Sequence, residues 1–282
     1  MAINAVTHWI RPFPDPADVF AGDVERSFRH LLPLVSIDLA QVNPQWSGWI
    51  HLVNPCEPAE GMIGDRTVRY HNAYLQTNWL AFKLDANDRY ELLGDWRYFY
   101  LENPELNRPD RRFQREREQG LKAMQKLFAS MDKKLHGFSN AVEREREVFP
   151  THESAYAQVQ AHYAEQHEAY AMAKRRFLAH GKLLSVNQFP RENANFDREP
   201  SSNFLEQLGG PAAGGNWAET DGGIRLMADD EWNDVYPVGP TGNRFHFVAQ
   251  VPGWHYCKAG ADSIILFFEP VERIALITFD WT

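Results

Sequence analysis

The chain has almost no sulfur with which to cross-link itself. Cys56 and Cys257 are its only cysteines in 282 residues. That is too few for a disulfide-stapled scaffold and fits a reducing compartment, with both thiols structural. No stretch reaches the roughly 18 consecutive apolar residues that a membrane span requires. The opening segment, MAINAVTHWIRPFPDP, lacks the basic-then-apolar order of a secretory signal. These absences predict a cytoplasmic protein with no membrane segment. Positive charge is short as well: 29 Lys and Arg stand against 38 Asp and Glu, for a net charge of −9. Phosphate backbones need a positive field, so a nucleic-acid partner is not expected. The densest basic group, Arg108, Arg111, Arg112, Arg115 and Arg117, is interleaved with Asp110, Glu116 and Glu118, as on a solvated helix face.

Signatures of catalysis are missing too. There is no G-x-S-x-G elbow, and neither cysteine is set beside a histidine by any spacing the sequence vouches for, so no catalytic residue is assigned. His162, Glu165 and His167 look metal-like, with His152 and Glu153 upstream. However, His167 lies five residues beyond His162, roughly 140° around a helix, and the spacing of four needed for HExxH is absent. No metal and no cofactor are predicted. LGGPAAGGNW (208–217) is rich in glycine but lacks the Lys-Ser/Thr of a phosphate loop, which leaves a structural turn. Asp221, Asp229, Asp230, Glu231 and Asp234 lack the D-x-D-x-D-G rhythm of a calcium loop and read as a solvated acidic turn.

What is present is a core. Hydrophobic residues make up 44% of the chain and aromatics 13%, including nine Trp and 18 Phe, enough to exclude disorder. A helix is expected over about 22–33, capped by Asp23, with Phe28, Leu31 and Leu32 as its apolar stripe. Residues 46–53, 67–75, 78–85 and 95–102 read as strands, rich in aromatic and β-branched residues. From 107 the pattern turns helical. Leu121, Met124, Phe128, Met131 and Leu135 recur at spacings of three and four. After a cap at Thr151 or Ser154, Tyr156, Tyr163, Tyr170 and Phe177 recur every seven residues. Two antiparallel helices follow, the aromatic stripe seamed on Leu121, Phe128 and Leu135. Residues 244–251, 262–270 and 273–281 close the chain as strands.

Two strand-rich segments echo one another. Leu84 is followed at the same spacings by Asp95 and Glu102 as Val251 is by Asp262 and Glu269. The expected organisation is therefore α+β: a curved, mainly antiparallel sheet built from two related strand segments, with a long helical hairpin inserted between them. Residues 1–106 and 181–282 would form the sheet domain and 107–180 the hairpin.

GGNWAE (214–219), FHFVAQV (245–251) and ADSIILFFE (261–269) resemble the YwqG-like family of bacterial proteins of unknown function. Gly214, Gly215 and Trp217 match its first motif, Gln250 its second, and Asp262 and Phe267 its third. Glu219 stands where the family has Gln, and Ser263 and Ile264 replace small residues. The resemblance is clearest over about 208–282. It implies a curved antiparallel α+β fold and brings no catalytic residues.

Two functional expectations follow. The first is a non-catalytic interaction protein, of immunity or accessory type. It would contact a protein partner, or itself, through the hairpin, with Tyr156, Tyr163 and Tyr170 as contact candidates. The alternative is a small-ligand binder or enzyme, its cleft near Trp217, Glu219, Gln250, His255 and Asp262, with His246 and Trp254 close by.

Overall fold

The computed structural model describes residues 2–131, 153–192, 194–212, 214–218, 223–229 and 234–281. The protein is mixed, 31% helical and 27% strand, with antiparallel pairing throughout its named strands. By contact it divides into two compact units, one made of residues 1–102 with 162–282, the other of residues 103–161.

The larger unit opens with β1 (Ile10–Pro12), a single-turn helix α1 (Pro16–Val19) and α2 (Val24–His30). Asp23 caps α2 as the sequence predicts, accepting from the Arg26 N–H at 3.0 Å. The helix stops at His30, because Leu31 and Leu32 belong to β2 (Leu31–Asp38). β2 runs between β1 and β3 (Trp49–Pro55) in a three-stranded sheet.

A six-stranded sheet holds the rest. Its strands are β4 (Trp79–Leu84), β5 (Tyr90–Leu92), β6 (Gln207–Leu208), β9 (His246–Val251), β10 (Ser263–Glu269) and β11 (Ile274–Asp280). They lie in the order β5-β4-β11-β10-β9-β6. A separate ribbon pairs β7 (Arg225–Asp229) with β8 (Asp234–Val238). Two hairpin turns fix register with carboxylates. Glu269 accepts from the Val271 and Glu272 N–H groups at 2.8 and 2.7 Å, and Asp85 accepts from those of Asn87 and Arg89 at 2.8 and 2.9 Å. β10 and β11 are buried over nearly their whole length, which explains their continuous apolar runs. One face carries a cluster including Trp79, Trp217, Phe247, Ile265, Phe267 and Leu276. On the other side, Phe82 stacks on Tyr90 at 4.8 Å. The Tyr90 hydroxyl then accepts from the His51 N–H and donates to the His51 carbonyl, at 2.9 and 2.6 Å, which ties β5 to β3.

The smaller unit contains α3 (Arg111–Met131), and α4 (Ala155–His180) begins in it. Ser154 caps α4, its hydroxyl accepting from the Ala157 N–H at 3.2 Å. Thr151, the other candidate cap, lies outside the described residues. The start of α3 meets the start of α4: the Asp110 N–H and the Gln114 side chain donate to the Glu153 carbonyl at 3.0 and 3.1 Å. From His162 onward α4 falls in the larger unit. The seam expected on Leu121, Phe128 and Leu135 falls on side chains outside the description. Tyr170 and Phe177 instead pack on Phe13 at 5.4 and 5.5 Å, inside the larger unit.

Two expected strands are not strands. Residues 67–75 form a single 3-10 turn, Val68–Tyr70, followed by a loop in which the Asn72 carboxamide accepts from the Tyr74 and Leu75 N–H groups. Residues 95–102 form 3-10 turns Trp96–Tyr98 and Tyr100–Glu102, the first capped by Asp95. Asp262, by contrast, leads directly into β10. The two aspartates therefore sit in unlike backbone settings, and the internal echo does not correspond to a structural repeat. Aromatic content misled the reading, because a run with no alternation of buried and exposed positions satisfies turns as readily as strands.

Candidate functional site

Those of the residues expected to line a cleft that are described stand in unlike settings. Trp217, in the 3-10 turn Asn216–Ala218, is fully buried against Trp79 and Phe267, with ring centroids 6.1 and 5.5 Å away. Its indole is core, not wall. Gly215 precedes it because a Cβ there would come within 2.5 Å of the Asp280 carboxylate. Gln250 is half-buried on β9, its backbone between Gln207 and Ile265 and its Oε1 unpaired among the described residues. His255 is buried in the 3-10 turn Gly253–His255, where Nδ1 donates to the Asn203 carbonyl at 2.9 Å and the ring meets Trp254 edge-on. Burial lowers its pKa, opposed by that hydrogen bond and by Glu206. Asp262 is exposed, and Glu219 lies outside the described residues.

The predicted partner contacts are also occupied. Tyr156, Tyr163 and Tyr170 are all buried, and the Tyr170 hydroxyl donates to the Pro33 carbonyl at 2.6 Å. His162, Glu165 and His167 diverge: Glu165 pairs with Lys258 at 2.7 Å, and His167 Nε2 donates to the Arg29 carbonyl at 3.0 Å. Among the described residues no cluster of three histidine, cysteine or acidic side chains is placed to hold a metal. No described helix is long and apolar enough to cross a membrane. Both cysteines are free and buried, and burial pushes their thiols up.

A cleft of about 380 Å³ opens elsewhere, over the three-stranded sheet. The register Arg11–Ser36–His51 sets three polar side chains in one row across β1, β2 and β3. Trp49, two residues before His51, shares its face of β3. The Arg11 guanidinium carbon lies over the Trp49 ring, 3.6 Å from its centroid. Stacking holds the cation in place while leaving its N–H edges available, and no described carboxylate pairs with it. Asn87, Arg89 and Asp18 also line the cleft, Arg89 already bound to Asp85 at 2.8 Å. No known protein-family profile, no curated protein and no solved structure matches the chain. The site is therefore read on its own geometry.

Behind Arg11, Ser36 and His51 form a buried pair. His51 Nε2 donates to the Asp88 carbonyl at 3.0 Å, which fixes the tautomer, so Nδ1 accepts from the Ser36 hydroxyl at 2.7 Å. Asp88 is itself fastened, in a left-handed conformation with φ of 66°. Its carboxylate accepts from the Trp49 N–H at 2.9 Å and pairs with Arg273. The pair resembles a serine nucleophile with its base, but burial lowers the His51 pKa to about 4, against a smaller opposing effect of Asp88. A base this weak draws a hydroxyl proton poorly. The arrangement instead orients Ser36 so that its oxygen lone pairs are left to accept a hydrogen bond. Sequence reasoning passed over these residues because their adjacency arises from strand pairing. The one signal was polarity out of place, a serine and a histidine inside the apolar runs LLPLVSID and WIHLV.

Proposed function

We propose that this protein is a small-ligand binder whose site is the cleft over β1–β3, and that the ligand carries a compact anionic group, carboxylate or phosphate. The stacked, unpaired Arg11 guanidinium at the mouth of a cleft of about 380 Å³ carries this reading. Cavities of this size suit small ligands, and an Arg held over an aromatic ring offers parallel donors to a planar or tetrahedral anion. Arg89 adds positive potential, and the Ser36 oxygen and Asn87 carboxamide offer neutral polar contacts for the rest of the molecule. Calorimetry with inorganic phosphate and simple mono- and dicarboxylates tests it. Binding weakened about tenfold or more by Arg11→Gln supports the site, whereas affinity unchanged by that substitution refutes it.

A second reading, a protein-interaction role of the immunity or accessory type, rests on α3. Arg112 pairs with Glu116 and Glu118 with Lys122, and every one of these side chains is exposed. The exposed, charged face of α3 suits a charged partner or a second copy of the chain. Cross-linking from Lys122 or Lys126 to a partner supports this role, and a monomer that captures nothing through α3 counts against it.

A further inference from the structure

Beneath α2 lies a chain of hydrogen bonds that the cleft does not use. His30 and Glu57 are both buried, and the Tyr163 hydroxyl stands between them, 2.8 Å from His30 Nδ1 and 3.1 Å from Glu57 Oε1. On its other side, His30 Nε2 lies 2.7 Å from Glu102 Oε1. Glu57 also accepts from the Tyr100 N–H at 3.0 Å.

Counting protons constrains this chain. Glu102 pairs with Arg26 and lies 3.7 Å from Arg29. Its hydrogen bond with His30, aided by Arg26 against a partial burial, lowers its pKa to about 2, so it is an acceptor and His30 Nε2 carries a hydrogen. Tyr163 has one hydroxyl proton and two neighbours. If it donates to His30 Nδ1, the contact with Glu57 needs a proton on the Glu57 carboxyl. If it donates to Glu57, the contact with His30 needs a proton on Nδ1, making an imidazolium beside Glu102. Both forms hold the same number of protons and differ only by a shift along the hydroxyl. Remove that one proton and two acceptors face a single donor, leaving a buried lone pair unpaired.

We infer that Glu57 and His30 hold one proton in common through Tyr163, and that this proton latches the 162–180 part of α4 to α2 and β3, so that its loss loosens the helix. The surroundings agree. Glu57 faces Tyr98, Asp65, Arg66 and the Cys56 thiol besides Tyr163, and its pKa rises to about 7, chiefly because burial disfavours the carboxylate. His30 faces Arg26, Arg29, Glu102 and Tyr163 and is stacked on Phe99 at 4.6 Å. Burial lowers its pKa, with Glu102 opposing. Tyr163 cannot supply the missing charge, since burial and Glu57 push its own ionisation well up. The proton is therefore released near neutrality, where few buried carboxyls titrate. This device is independent of the cleft and stands whether or not an anion binds there.

Nuclear magnetic resonance on the full chain tests it. The Glu57 carboxyl carbon and the His30 ring nitrogens, followed from about pH 5 to about pH 9, are expected to shift with one common midpoint. Over the same range, amide exchange within 163–175, corrected for the intrinsic rate, is expected to accelerate about tenfold or more. Glu57→Gln, which mimics the protonated acid, abolishes that acceleration, and Tyr163→Phe splits the common midpoint into two. Separate midpoints in the wild-type chain overturn the inference even if neither variant folds. So does helix protection that is independent of pH.

Discussion

Replacing Glu57 by Gln should remove one pH-dependent contribution to stability. The buried carboxyl titrates at about 7 in the folded protein and at its ordinary value of 4.5 when the chain unfolds. A carboxyl whose folded pKa is raised favours the native state only while it is protonated. Its contribution is intact below pH 4.5, falls as pH rises to 7, and is fully lost above that. At about 1.4 kcal/mol per pKa unit, the wild type loses about 3 kcal/mol across this window from Glu57 alone. The side chain is only 6% exposed, so solvent screening takes little from that figure. Gln keeps the acceptor for the Tyr100 N–H and carries no titratable proton. Urea denaturation of both proteins at intervals from pH 4 to pH 8 gives the difference directly. The two stabilities should diverge by about 3 kcal/mol in favour of the variant as pH rises, whatever fixed offset the amide introduces. Parallel curves would refute the reasoning.

The remaining predictions use the same measurement or simpler ones. His51 has its pKa lowered to about 4, so its own contribution runs opposite to that of Glu57: it falls by about 3 kcal/mol between pH 6.5 and 4, and the stability difference between His51→Gln and the wild type should grow by that amount in favour of the variant as pH falls through this window. Trp217→Ala, which empties the core between Trp79 and Phe267, should cost about 3–5 kcal/mol in denaturant unfolding. That penalty, with affinity in the β1–β3 cleft unchanged, would separate a core tryptophan from a ligand wall. Gly215→Ala forces a Cβ to within 2.5 Å of the Asp280 carboxylate and should cost about 1–3 kcal/mol.

What could be read from sequence was what is local. Asp23 before an amphipathic turn, Ser154 before a long helix, and the apolar runs of β10 and β11 each state their structure within a few residues. β2 escaped because Leu31 and Leu32, the first residues of LLPLVSID, read as the end of the preceding helix, with Pro33 directly after them. The structure accommodates it at a register shift between Pro33 and Val35 against β3, a place where proline is tolerated. Residues 95–102 were misread for the opposite reason. Their aromatic run suits a strand, but Asp95 turns the chain and Tyr98 is buried, its hydroxyl donating to the Gln76 carbonyl at 2.8 Å. The heptad of tyrosines was correctly a buried face, yet its surroundings are Phe13, His30 and Pro33, more than a hundred residues away in sequence. The row Arg11–Ser36–His51 and the chain Glu57–Tyr163–His30 are likewise products of long-range pairing, which spacing within one segment does not encode.

The central claim, an anion site over the three-stranded sheet, is tested most directly by mapping amide and side-chain resonances during titration with inorganic phosphate and a simple carboxylate. The account predicts saturable shifts centred on the Arg11 guanidinium, the Trp49 indole and the Ser36 amide, all lost in Arg11→Gln. Shifts centred instead on His255 and Gln250, or none that saturate, would contradict it.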